Sequence, residues 1–155
     1  EVIRVESAAQ MFDACHHALP VDVAVLAAAV SDWRPEQTPT GKIKKIPGAG
    51  PPGLSLVENP DILASLSAPG NARPRLVVGF AAETDDVREN ATAKRARKGC
   101  DWIVANDVSP SSGTFGGDDN TVHLVSAGGV EDWPRMAKDQ VGERLARRIA
   151  DHLAA

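Results

Sequence analysis

Cysteine is scarce in this chain: it has two, Cys15 and Cys100, far apart and without a Cys-x-x-Cys pair. A disulfide framework is therefore excluded, and the four histidines show no metal-ligand spacing with the cysteines, which argues against structural zinc. Both thiols read as structural, Cys15 on an apolar helical face and Cys100 just after a glycine helix stop. A broad basic surface is lacking as well. With 17 Lys and Arg against 21 Asp and Glu the net charge is -4, so no nucleic-acid partner is expected and any anion site must be a local cluster of cations. Long apolar runs are missing too. The longest, 23–30, lies between Asp22 and Asp32, far short of the ~20 residues that cross a bilayer. No membrane partner and a cytoplasmic location are the expectation. Neither an initiator methionine nor a signal-peptide pattern precedes Glu1, and the chain reads as a piece of something longer.

What is present suits one folded domain: 155 residues, 43% hydrophobic and 25% charged. Val2, Ile3 and Val5 read as the end of a strand, and Ser7 as the N-cap of a helix bearing Ala8, Met11, Phe12, Cys15 and Leu19 on one face. His16 and His17 read as exposed positions on it. The run 22–30 is continuously apolar, as expected of a parallel strand of the central sheet covered on both faces. Prolines, glycines and threonines then break the pattern over 31–53, a long loop or flap. A short strand follows at 54–57, and Asn59 with Pro60 reads as a helix start. A buried strand at 75–81, a helix opening at Thr84 or Asp85 and ending at Gly99, and a fourth core strand at 101–106 come next. Residues 121–125 and the Gly128-Gly129 turn suggest a hairpin leading to Trp133, a β-extension able to project toward a second copy. Val141, Leu145, Ile149 and Leu153 form an apolar ridge on a final helix. Alternating strands and helices make the expected fold class α/β, a three-layer Rossmann-like parallel sheet with a β-hairpin extension.

Several segments could carry chemistry. Gly48, Gly50 and Gly53 spell a dinucleotide fingerprint, but a basic loop precedes them, a strand follows, and two prolines remove N–H donors, so an NAD-type dehydrogenase is not supported. Lys42 and Lys44 share one face of an extended segment and could close over a polyphosphate; on spacing alone a solvated surface loop is the commoner explanation of such a lysine run. Lys94 and Lys98, at i and i+4, could bind anions, or could simply complement the helix macrodipole. Small residues around Ala27 and Ala28, followed by Asp32, end a strand at the edge where open α/β sheets bind ligands, and Phe80 ends the next strand likewise. Asn106 and Asp107 are further candidates for polar contacts.

In their order along the chain, seven blocks resemble the phosphopantothenoylcysteine synthetase domain of bacterial bifunctional coenzyme A biosynthesis flavoproteins. They are Ala27 to Arg34 (AAAVSDWR), Lys42 to Lys45 (KIKK), Asn59 to Ile62 (NPDI), Gly79 to Thr84 (GFAAET), Lys94 with Lys98, Ala105 to Val108 (ANDV), and Phe115 to Asn120 (FGxDxN). The resemblance implies a ligase joining L-cysteine to 4'-phosphopantothenate at the expense of CTP, through an acyl-cytidylate, with Mg2+ accompanying the nucleotide. It implies a CTP site at Leu26, Ala27, Ala28, Asp32, Lys42, Pro60, Asp61, Ile62, Leu63, Phe80, Lys94 and Lys98, with Lys42 carrying the chemistry. It further implies a homodimer or higher assembly and a fused flavoprotein decarboxylase in the full-length chain, with no flavin in this segment. Residues 1–155 would be a single synthetase domain lacking the family's first strand, its glycine-containing phosphate loop and its Asn-x-Ser-Ser-Gly segment. That departure leaves a second reading open, a non-catalytic nucleotide-binding or dimerisation fragment.

Overall fold

A computed structural model describes residues 1–27, 29–37, 41–44, 48, 50, 53–109, 112 and 117–155. Ser7 caps α1 (Ala8–His17): its hydroxyl accepts from Gln10 N, and the Gln10 side chain returns to the Ser7 N–H, closing a capping box. Two turns on, His16 is half-buried, with its Nε2 2.8 Å from Ser65 Oγ, so it ties helices together instead of facing solvent. Residues 1–5 form no strand, and Val2 and Ile3 are exposed because no other described strand runs beside them.

The remaining elements follow in order: β1 (Val23–Leu26), β2 (Trp33–Pro35), β3 (Leu56–Glu58), α2 (Ile62–Ser67), β4 (Leu76–Glu83), α3 (Val87–Lys98), β5 (Trp102–Asp107), β6 (Asp119–Asn120), β7 (Val122–Ser126), β8 (Gly129–Asp132), β9 (Met136–Ala137) and α4 (Lys138–Ala154). The main sheet runs β1-β4-β5-β7-β8, with β1, β4 and β5 parallel and β7 and β8 antiparallel. The expected class therefore holds, with β4 at the heart of the parallel part. The first apolar run joins this main sheet through β1, parallel to β4, as expected. Within the described chain β1 is an edge strand whose Val25 remains exposed, because only β4 pairs with it.

Side-chain alternation along the strands splits the core in two. Leu76, Val78, Trp102, Val104, Val122 and Leu124 face Val141 and Leu145 of α4. Val77, Ala81, Ile103, Ala105 and Val125 face Ala91 of α3, with Leu63 of α2 alongside. Helices thus cover both faces, giving three layers. The hairpin β7–β8 widens this sheet edgewise and does not project. Val122, opposite Asn106 on β5, is buried, and Trp133 closes the core beneath it.

Local starts differ from expectation by a turn or less. Asp61, not Asn59, is the N-cap of α2, its Oδ1 accepting from Ala64 N at 3.0 Å. Asp86 precedes α3 with a left-handed φ of 41°, two residues beyond Thr84. Gly99 ends α3 in the left-handed conformation, as a glycine stop should. No helix among the described residues is long and apolar enough to cross a membrane.

Candidate functional site

Strand β1 stops at Leu26, opposite Gly79 of β4. Beyond that point the two parallel strands open into a cavity of about 780 Å³ at the carboxyl edge of the sheet, where α/β folds bind their ligands. Gly79 brings α2 to this edge. A Cβ there would stand 2.6 Å from Leu63 Cδ2 and 2.9 Å from Ile103 Cδ1, so only glycine lets Leu63 settle onto the strand.

Ten of the twelve expected site residues line the cavity. Leu26, Ala27 and Asp32 come from the end of β1 and the turn after it; Pro60, Asp61, Ile62 and Leu63 from the start of α2; Phe80 from β4; Lys94 and Lys98 from α3. Ala28 lies outside the described residues. Lys42 is described and exposed, and is not among the lining residues. Its segment nevertheless springs from the rim, since Trp33 of β2 and Glu58 of β3 both line the cavity and pair with one another. The Arg34 guanidinium binds Glu58 O and reaches Asn59 Oδ1 at 3.3 Å, while Asn59 Nδ2 donates to Ser31 O at 2.8 Å. These bonds fix both roots of the segment that carries Lys42. Much of the flap, including Lys45, lies outside the described residues, as do Phe115 and Gly116. None of Gly48, Gly50 and Gly53 lines the cavity.

The walls differ in character. Met11 and Cys15 of α1, with Leu26, Ile62 and Phe80, supply apolar surface; α3 supplies Lys94, Arg97 and Lys98; Asp32, Glu58 and Asp61 supply carboxylates. Lys94 Nζ donates to Phe80 O at 2.9 Å, which holds its charge against β4 just past the point where β1 stops. Lys98 is paired with Asp61 Oδ2. Burial raises the Asp61 carboxyl, but the Lys98 hydrogen bond, the Ala64 N–H and the charges of Lys98 and Arg97 outweigh it and hold its pKa below the ordinary 3.8.

The sign of the resulting pH dependence follows from that depression. Stability from the pair is complete above the unfolded value near 3.8 and is lost as the pH falls through the lower folded value. Asp61→Asn keeps an N-cap oxygen but removes the charge. Wild type is expected to melt above Asp61→Asn at neutral pH, the gap closing on acidification; a gap constant down to about pH 2 would show that the Asp61 charge contributes nothing.

Met11, Cys15, Trp33, Glu58, Asn59 and Arg97 were not legible as site residues. Only Arg97 had a local signal, its i+3 spacing from Lys94 on one helix face. Cys100 is buried, and burial pushes its thiol up, as suits a structural residue. Asn106 and Asp107 do not line the cavity, because β5 lies on the far side of β4 from β1. Asp107 instead accepts from Ser109 N at 2.7 Å, and that bond lowers its pKa. Among the described residues no group of three or more His, Cys, Asp or Glu side chains could hold a metal ion. The described side chains thus offer no cage for the expected Mg2+.

Comparison with known proteins places this geometry in context. A family model described as DNA/pantothenate metabolism flavoprotein C-terminal domain matches residues 1–153. The "Coenzyme A biosynthesis bifunctional protein CoaBC" of Mycobacterium tuberculosis (strain ATCC 25618 / H37Rv) is 45% identical over 165 residues, covering 99% of this chain and 39% of that protein. The protein of the same name from Escherichia coli (strain K12) is 42% identical over 123 residues, covering 79% of this chain and 30% of that protein. The chain thus spans well under half the length of these curated relatives. The crystal structure of the C-terminal domain of a bifunctional CoaBC superposes with a TM-score of 0.72 at 32% identity, covering 98% of this chain and 67% of that one. The DNA/pantothenate metabolism flavoprotein from Streptococcus pneumoniae, at 16% identity and a TM-score of 0.77 over 98% of this chain and 73% of that one, shares the fold.

Proposed function

The chain belongs to the DNA/pantothenate metabolism flavoprotein C-terminal domain family, and on that premise we propose that it serves coenzyme A biosynthesis as the CTP-dependent ligase of 4'-phosphopantothenate and L-cysteine. One observation carries the reading: residues scattered from Leu26 to Lys98, expected from the resemblance to hold CTP, meet in a single cavity at the ligand-binding edge of the sheet.

The chemistry suits those walls. In the first step a carboxylate oxygen of 4'-phosphopantothenate attacks the α-phosphorus of CTP. A new P–O bond forms, the bond to the β-phosphate breaks, and pyrophosphate leaves. In the second step the amine of cysteine attacks the activated carbonyl carbon. A C–N bond forms, the C–O bond to CMP breaks, and the ammonium proton is lost to solvent. The first step brings anion against anion, so cations must offset the repulsion and the charge of the transition state. Lys94 and Lys98 supply two on the cavity wall, and Lys42 a third from the segment rooted at its rim. Ala27 leaves room for a flat base to approach the backbone, with Phe80 as a wall. Mg2+ is proposed only as the counter-ion of the triphosphate, since it prefers phosphate oxygens and water to all-protein cages.

A fused flavoprotein decarboxylase belongs to the same proposal, supported by the bifunctional name of the relatives, and a dimer belongs to it through the family resemblance alone. The test is pyrophosphate release by the complete protein, given 4'-phosphopantothenate and cysteine with CTP or ATP. Release with CTP, together with CMP on adding cysteine, is expected. Release with ATP alone would move the nucleotide assignment, and release with neither would overturn the ligase reading.

A further inference from the structure

Three cations of α3 line the cavity, and two of them are already engaged. Lys94 donates to Phe80 O, and Lys98 is paired with the ionised Asp61. Arg97 has no hydrogen bond or ion pair among the described residues, yet its charge is felt at Asp61, which places it beside the Lys98–Asp61 pair. It is therefore the cation of this wall whose hydrogen-bond donors are uncommitted among the described residues.

We propose that Arg97 binds the terminal phosphates of a nucleoside triphosphate in this cavity, a specificity-determining contact that favours triphosphate over monophosphate. The inference rests on the reading of the cavity as a nucleotide site. Lys94, Arg97 and Lys98, at i, i+3 and i+4, share one helix face and span a rise of about 6 Å, longer than one phosphate group and suited to a chain of linked phosphates. A guanidinium offers two parallel donors that match phosphate oxygens, where an ammonium offers a point charge. Asp32 and Glu58 line the cavity from other elements, the turn after β1 and strand β3, and their negative charge favours a polyanion on the α3 side. An incoming phosphate chain meets Lys98 partly neutralised by Asp61 and Lys94 tied to the strand, so Arg97 provides the free fork for its far end.

Calorimetric titration of the complete protein with CTP and with CMP tests this in wild type, Arg97→Gln and Arg97→Lys. Arg97→Gln is expected to weaken CTP binding about tenfold or more, as for loss of a charge-assisted hydrogen bond, and to leave CMP binding unchanged. Arg97→Lys should recover part of the loss, restoring charge without the fork. Melting temperatures without ligand should differ little, because the side chain has no hydrogen bond or ion pair to lose among the described residues and its action on Asp61 is a minor one beside that of Lys98. Equal CTP affinity in Arg97→Gln and wild type would overturn the proposal, leaving Arg97 a solvated surface residue. Equal weakening of CTP and CMP would overturn the terminal-phosphate assignment. Wild-type protein that fails to bind CTP would overturn the nucleotide reading itself.

Discussion

Lys42→Gln is expected to lower the turnover of pyrophosphate release by about a hundredfold or more, the scale of removing one preorganised charge from a transition state. Folding should be untouched. Lys42 is exposed and belongs to neither core cluster, so thermal melting of the variant should overlay that of wild type. The physical case rests on position and on charge. The segment carrying Lys42 leaves the cavity rim at β2 and returns to it at β3, with both roots pinned through Arg34 and Asn59. A cation on such a segment can meet the triphosphate from the side opposite α3. There it would offset charge that grows as the carboxylate attacks, lowering the barrier more than it strengthens ground-state binding. The loss should accordingly fall on kcat more than on the KM for CTP. Near wild-type turnover in a normally folded Lys42→Gln protein would remove Lys42 from the mechanism.

Trp133→Ala is expected to destabilise the fold by about 3–5 kcal/mol, the range for truncating a large buried aromatic. At this chain length that corresponds to a fall in Tm of roughly 6–20 °C. Trp133 is 2% exposed and packs in the core layer between the sheet and α4. Its backbone N–H donates to Val122 O at 2.9 Å, and its indole Nε1 donates to Glu131 Oε1 at 3.0 Å. Arg144 of α4 lies over the ring at 4.7 Å and also binds Glu131, as Arg148 does at 3.3 Å. Burial raises the Glu131 carboxyl, but the Arg144 and Trp133 hydrogen bonds with the neighbouring cations outweigh it and hold its pKa down. Truncation therefore removes an aromatic body and one anchor of the network that fastens α4 to the β7–β8 hairpin. Trp133→Phe, which keeps most of the volume but loses the indole donor, should cost less. A melting temperature for Trp133→Ala equal to that of wild type would show that the residue does not support the core.

The part of this molecule legible in the sequence is the part governed by local rules. Ser7 and Gln10 cap α1 because a hydroxyl and an amide at that spacing satisfy the free N–H groups of a first turn. Gly99 ends α3 because it tolerates a positive φ. The apolar ridge of α4 and the apolar runs of β4 and β5 announce burial by their periodicity alone. Most of the cavity was legible only through resemblance, since neither a lysine pair on a helix nor a small residue after a strand says by itself which side chains will share a space.

Tertiary structure decided the rest, because strand order and helix approach depend on contacts between residues far apart in the chain. Pairing with β4 on one side alone leaves β1 an edge strand among the described residues. Pairing of β7 with β5 drew the hairpin into the sheet and buried Val122 and Trp133, although the polar neighbours of Trp133 had suggested a projecting arm. The same order carried Asn106 and Asp107 away from the cavity. The gap at Gly79 let α2 descend, which set Asp61 against Lys98 and left Arg97 alone on the wall. Which lysine is already paired and which arginine remains open is a property of packing, and no local pattern encodes it.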